Sequence, residues 1–287
     1  MSALTSNIVR RGEPSRSAYW VASLRAVHQL LDEPLVLPDP IALPLLGVST
    51  EAALRDDSFA LNDPISRGLR AAMVARSRFV EDELSRCVAE GVLQYVLLGA
   101  GLDTFAYRNP YSDPCPRVFE LDHAGTQRWK QRLLCEAHIG VPPSLTFVPV
   151  DFERDDLGEA LVQAGFRADQ PACVSWMGVT TYLSADAVQR TLRMLAGLAG
   201  GSCVCFDYRV PATLLGPVDR VIDEVIGRQI AAAGEPWLST FEPARLQRHL
   251  LGLGFSSAVS VTPDDLNARY FARRKDGLRA GGSFRIM

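Results

Sequence analysis

The segment Leu93-Gln94-Tyr95-Val96-Leu97-Leu98-Gly99-Ala100-Gly101 constrains this chain most: a short apolar run passes straight into a Gly-x-Gly turn. An apolar run of this length ending at glycine reads as a buried strand. Gly99 and Gly101 carry no Cβ, so both permit positive φ and let a ligand lie against the backbone. A second apolar segment, Val118-Phe119-Glu120-Leu121-Asp122, ends on an acid 21 residues after Gly101. That spacing suits a carboxylate at the tip of a neighbouring strand gripping a ribose diol. The pair of features implies a nucleoside-containing cofactor. A Gly-x-Gly turn without a ligand is the plainer alternative, because many α/β folds carry one.

The residues around the turn discriminate between cofactors. Dinucleotide sites place a third glycine three residues on, where helix and strand pack closely. Thr104 stands there instead. No Gly-Lys-Ser/Thr run follows, which excludes a phosphate-cradling loop. Asp103 occupies the expected start of the next helix, where a pyrophosphate would otherwise sit, and its charge repels phosphate. S-adenosylmethionine has the opposite character: a ribose, a base, a sulfonium and an ammonium, with no phosphate. An NAD-dependent oxidoreductase shares the turn and the acidic strand end and is the alternative reading, with Thr104 against it.

Composition removes several function classes. The 287 residues carry 30 basic and 33 acidic side chains, a net charge of −3. No basic surplus exists to track a nucleic-acid backbone. Arg10-Arg11 and Arg273-Arg274-Lys275 are too short to act as basic tracts. Residues 1–14 are polar and lack the apolar core of a signal peptide. No apolar run approaches the ~18 residues of a membrane helix. A cytoplasmic protein without membrane partners is expected. The six cysteines form no Cys-x-x-Cys pair and no metal-ligand spacing, so no metal site is expected.

Hydrophobic periodicity predicts helices over 18–31 and 66–89, the second ended by Gly91 as a left-handed cap, with a proline-rich connector between them. After Gly91, strands at 93–98, 117–121, 145–150, 172–176, 202–207, 256–261 and 283–287 alternate with helices at 126–137, 157–164, 185–198, 214–233 and 243–253. Such alternation predicts an α/β fold, a doubly wound and mostly parallel Rossmann-like sheet. Ligands then sit beyond the carboxyl ends of the strands, beside the first strand. The chain reads as one domain over 1–287, with about 1–65 an N-terminal helical cap and 66–287 the core.

The run Leu98-Gly99-Ala100-Gly101-Leu102-Asp103-Thr104-Phe105-Ala106-Tyr107-Arg108 resembles the signature of the leucine carboxyl methyltransferase-like family. Further matching segments follow the family order: 75–82 (Ala-Arg-Ser-Arg-Phe-Val-Glu-Asp), 119–123 (Phe-Glu-Leu-Asp-His), 126–130, 148–152, 178–183, 234–237 (Gly-Glu-Pro-Trp) and 266–271. The likeness runs from about Ser15 onward. It implies a class I methyltransferase using S-adenosylmethionine, and a small-molecule acceptor such as a polyketide-like metabolite. Residue by residue, it places Gly99, Ala100, Gly101, Asp122, His123, Asp151, Phe152 and Trp176 around the cofactor, with core packing the equal competitor for Trp176. Spacing and resemblance agree in putting Asp122 on the ribose; the competing role is a helix N-cap. Asp151 would accept from the adenine amino group, with the Phe152 backbone beside it; the competing role is another helix N-cap. Arg76, alone on an apolar helical face, is either an anchoring ion pair or, as the resemblance implies, a fork on the methionine carboxylate. Arg78 is the second choice for that role.

Methyl transfer from a sulfonium is an in-line displacement. A carboxylate acceptor arrives ionised, whereas an alcohol or phenol needs a base. None of the four histidines falls in a dyad pattern. His28 on the cap helix and Tyr182 after the fourth strand are the candidate catalytic groups, with packing the competing role for His28. The absence of an evident base favours carboxyl methylation over hydroxyl methylation. One departure from the family stands at Met177, where a glutamate is expected. It leaves open a protein that binds the cofactor without transferring a methyl group.

Overall fold

A computed structural model describes residues 15–287. The expectations for residues 1–14 lie outside the described residues. Two helices precede the sheet region, α1 (Arg16–Leu31) and α2 (Val48–Asp56), followed by α3 (Pro64–Ala89). The remainder runs β1 (Gln94–Leu98), β2 (Arg117–Asp122), α4 (Ala124–Glu136), β3 (Leu145–Pro149), α5 (Leu157–Gln163), β4 (Cys173–Trp176) and α6 (Ala185–Ala196). It ends with β5 (Cys203–Arg209), α7 (Pro217–Ala232), α8 (Pro243–Leu253), α9 (Pro263–Tyr270) and β6 (Phe284–Ile286).

The sheet order is β3-β2-β1-β4-β5-β6, with every pairing parallel except the antiparallel β5–β6. The chain winds outward from β1 to β3, then crosses back to β4. The reversal between β1 and β4 opens a crevice at their carboxyl ends. All five residues of β1 are buried because helices cover both faces of the sheet. Val96 and Leu98 pack with Leu161, Val188 and Leu192 of α5 and α6, while Tyr95 and Leu97 pack with Val80, Leu84 and Cys87 of α3. Gly91 ends α3 at φ +86°, with Val92 N–H donating to the Cys87 carbonyl and Gly91 N–H to that of Val88, the left-handed cap expected there.

The helix α1 lies over the crevice. Its Arg25 donates to the Leu102 carbonyl at 2.5 Å and approaches Asp103 at 3.6 Å. At its start, the buried Glu235 accepts the backbone N–H groups of Arg16 and Ser17, both at 2.9 Å. Those N–H groups are orphans of the first helical turn, so a carboxylate there holds the helix in place.

Two expectations change. Residues 256–261 form no strand; only Val261 bridges to Ile286, in antiparallel sense. The edge of β5 is taken by β6, so this segment meets the sheet through that bridge and through Ser260, whose hydroxyl bonds the Tyr208 phenol of β5 at 2.7 Å. The expected helix after the glycine turn is one 3₁₀ turn, Phe105–Tyr107, and Asp103 accepts the Phe105 N–H at 2.8 Å. Among the described residues no helix is long and apolar enough to cross a membrane.

Candidate functional site

The crevice holds a cavity of 230 Å³ bounded by the glycine turn, the tips of β1, β2 and β4, and the inner face of α1. Its floor is the Gly99-Ala100-Gly101 backbone. Gly99 sits at φ +71° and Gly101 at φ +50°. A Cβ on Gly99 would come within 2.2 Å of Val179 Cγ2. The turn is therefore tight as well as open to a ligand. The Gly99 and Ala100 N–H groups both donate to the Leu121 carbonyl, at 2.8 and 3.1 Å, which locks the turn against β2.

Asp122 does not cap α4. His123 does, its Nδ1 accepting Gly125 N–H at 3.1 Å. Asp122 Oδ2 accepts Gly101 N–H and Oδ1 accepts His123 N–H, each at 2.6 Å. Each carboxylate oxygen keeps a lone pair. Burial pushes this carboxyl above its ordinary value, against the pull of the two backbone donors. Asp151 and Phe152 reach the same cavity at the end of β3, where Asp151 Oδ1 accepts Glu153 N–H at 2.9 Å.

Arg76 faces the cavity from α3 and pairs with Asp207 of β5 at 2.7 Å. Asp207 also accepts Gly178 N–H at 2.7 Å, so one buried carboxylate fixes both the guanidinium and the turn after β4. One guanidinium nitrogen is committed to Asp207, and the fork retains further donors. Met177 lines the cavity between them. Arg78 points away, half exposed and paired with Asp82 at 2.7 Å.

Two expected site residues lie elsewhere. Trp176 is fully buried, packs against Phe206 in the core, and is absent from the cavity wall. It is the last residue of β4, and strand alternation turns it, like Val174, onto the face packed by α5 and α6. His28 is fully buried outside the cavity. Its Nε2 accepts Val36 N–H at 3.0 Å and Leu37 N–H at 3.3 Å, so Nδ1 carries the proton and donates to Asp32 at 2.7 Å. Both ring nitrogens serve the fold, which removes His28 as a base. Tyr182 does line the cavity, with its phenol pushed upward chiefly by burial.

Ser17, Glu235 and Trp237 are among the wall residues not singled out individually from the sequence. Gly234-Glu235-Pro236-Trp237 did stand among the motif segments, but nothing local tied it to the strand tips. Thr104, at the third-glycine position, is buried and donates to Asp39 at 2.6 Å, tying the turn to the cap. A dinucleotide is ill served here. The turn leads into no α-helix whose N-terminus could take a pyrophosphate, and the acidic Asp103 stands at that point.

Sheet order, glycine floor and acidic strand tips define an α/β protein built for a phosphate-free nucleoside. The profile of the leucine carboxyl methyltransferase family matches residues 18–196, and the chain belongs to that family. YktD of Bacillus subtilis, which bears the name of a candidate S-adenosyl-L-methionine-dependent methyltransferase, is 31% identical over 95% of this chain and 96% of its own. A Frankia alni protein named in the same way is 36% identical over 67% of this chain and 68% of its own. Among solved structures, a DUF574 family protein from Streptomyces avermitilis shares the fold at a TM-score of 0.52 and 16% identity, over 92% of this chain and 95% of that one.

Proposed function

We propose that this S-adenosylmethionine-dependent methyltransferase makes a methyl ester on a small, largely apolar carboxylic acid. Asp122 takes the ribose hydroxyls on its two remaining lone pairs. Asp151 and the Phe152 backbone meet the adenine, the 99–101 backbone and the Asp122–His123 corner line the adenosine, and Arg76 offers its remaining N–H groups to the methionine carboxylate. The cofactor supplies an electrophilic methyl group: its carbon–sulfur bond breaks as the carbon–oxygen bond forms, and the acceptor's negative charge is neutralised.

The observation that carries the carboxylate reading is the state of the bases. Among the described residues, His123 is the one imidazole of the cavity wall, and it caps α4. Glu235 has both oxygens on the start of α1. Asp103 accepts the Phe105 N–H and faces Arg25, and Glu153 accepts the Ser184 N–H and hydroxyl; an alcohol would find each of these groups already engaged, whereas a carboxylate needs no base at neutral pH. The roof formed by α1 favours a small acid over a protein tail, in line with the polyketide-like acids that the family resemblance implies.

The test is transfer from methyl-labelled S-adenosylmethionine to a panel of apolar carboxylic acids and the matching alcohols. Label that mild alkali releases as methanol marks an ester and supports the reading. Alkali-stable label, or transfer to the alcohols alone, contradicts it.

A further inference from the structure

The wall between α1 and the end of α7 holds polar groups that the cofactor reading leaves unused. Trp237 follows the Gly234 turn, and its indole is fixed from three sides. The Arg209 guanidinium lies over the ring at 4.0 Å from its centroid. The Phe284 ring meets it edge-on at 5.7 Å. Gly227 of α7 packs so closely that a Cβ there would stand 3.3 Å from Trp237 Cε3. Arg209 is itself anchored on Asp223 at 2.5 Å, and Asp223 also accepts from Ser283. A ring held like this aims its N–H in one direction. A cation over its face also draws electron density and strengthens that N–H as a donor.

Trp237 Nε1 is buried and, among the described residues, meets no acceptor in hydrogen-bonding geometry. A buried N–H left in this state is destabilising, and a ligand oxygen would relieve it. The Tyr182 hydroxyl is its neighbour: both the Trp237 indole and the Ser17 hydroxyl lie near enough to the phenol to oppose the effect of its burial. Glu235 on the same wall spends both oxygens on the Arg16 and Ser17 N–H groups, at the positive end of α1, which offsets its charge. Hydrocarbon from Trp20, Val21, Leu69, Met73, Ile226 and Ile230 lines the same cavity. Donors without a base suit an oxygen that is already an anion, and the hydrocarbon suits an apolar body behind it.

We propose that the Trp237 indole N–H and the Tyr182 O–H together grip one oxygen of the acceptor's carboxylate, leaving the other oxygen free for methylation. The pair forms an acceptor-binding clamp that selects apolar monocarboxylates over their esters, amides and alcohols. The proposal deepens the methyl-ester reading above and rests on it.

Four tryptophans give four indole resonances in a nitrogen-15-labelled sample, and the Trp237→Phe variant identifies one of them. The protein is saturated with S-adenosylhomocysteine and titrated with octanoate, decanoate and 4-phenylbutyrate, then with the methyl ester and the alcohol of each. At least one carboxylate should move the Trp237 indole proton downfield to saturation, and the esters and alcohols should not. By calorimetry, Trp237→Phe and Tyr182→Phe should each weaken that carboxylate about ten-fold, the loss of one hydrogen bond to a charged group. Both variants should hold S-adenosylhomocysteine within about two-fold of the wild type, which also reports that they fold. A Trp237 resonance that no carboxylate moves, or that ester and acid move alike, overturns the clamp. Unchanged carboxylate affinity in both variants overturns it too. Failure of the wild type to bind S-adenosylhomocysteine is a separate result, and overturns the cofactor reading together with the clamp.

Discussion

The Asp122 carboxylate lies 2.6 Å from the Gly101 amide, so the acidic tip of β2 and the glycine turn after β1 form one rigid lip. The lip joins the two sequence features that point to a nucleoside. Asp122→Ala removes the ribose acceptor and a support of the turn together. Affinity for S-adenosylhomocysteine should fall about ten- to a hundred-fold by calorimetry, for the loss of roughly 1.5–3 kcal/mol of charge-assisted bonding. Because burial raises the Asp122 carboxyl, wild-type affinity should also decline as acidification protonates it, earlier than for an exposed aspartate.

Gly99 tolerates no side chain. Its φ of +71° strains an L-residue by about 1–2 kcal/mol, and the added Cβ would overlap Val179 Cγ2. Gly99→Ala should lower unfolding free energy by roughly 2–4 kcal/mol in a urea titration. Stability within about 0.5 kcal/mol of wild type would show that the turn relaxes at no expense.

Asp207 supports two elements at once, the Arg76 guanidinium and the Gly178 N–H. Asp207→Ala leaves a mostly buried cation without its partner. A loss of about 3–5 kcal/mol is expected by denaturant unfolding. Weaker S-adenosylhomocysteine binding should accompany it, since the orientation of Arg76 depends on this pair.

The buried pair of Glu120 and Lys130, 2.7 Å apart and each 1% exposed, sets a pH dependence. Burial pushes the Glu120 carboxyl up to about 7, despite Lys130 pulling it down. Between pH 4.5 and 7 the folded protein therefore holds more protons than the unfolded chain, so stability falls as pH rises through that window. Relative to Glu120→Gln, the wild type should lose on the order of 3 kcal/mol from pH 4.5 to 7.5. A flat difference between the two proteins across that range would contradict the assignment.

The sheet was legible because its signals are local. Five parallel strands, the helices between them and the Gly91 cap followed from apolar runs and turn residues. The misses have physical reasons. α2 buries none of its residues, so it carries no apolar stripe to read. α9 announced itself only by a capping box, Thr262 with Asp265, and Pro263 in its first turn. The segment 256–261 has strand composition, but β6 occupies the place beside β5. In the site, strand-tip residues such as Asp122 and Asp151 could be found from spacing along the chain. The segment around 214–237 could be expected to line the acceptor pocket beside the cap, but which of its side chains do so, Glu235 and Trp237 among them, is settled only by folding. Trp176 and His28 show the converse: residue type suggested chemistry, while strand alternation and backbone donors gave each a packing role.

The most direct test is a crystal structure of the complex with S-adenosylhomocysteine. The account predicts adenosine in the crevice between β1 and β4, both ribose hydroxyls about 2.6–3.0 Å from the Asp122 carboxylate, and the homocysteine carboxylate against Arg76. A nucleoside bound elsewhere, or one whose ribose does not touch Asp122, would contradict it.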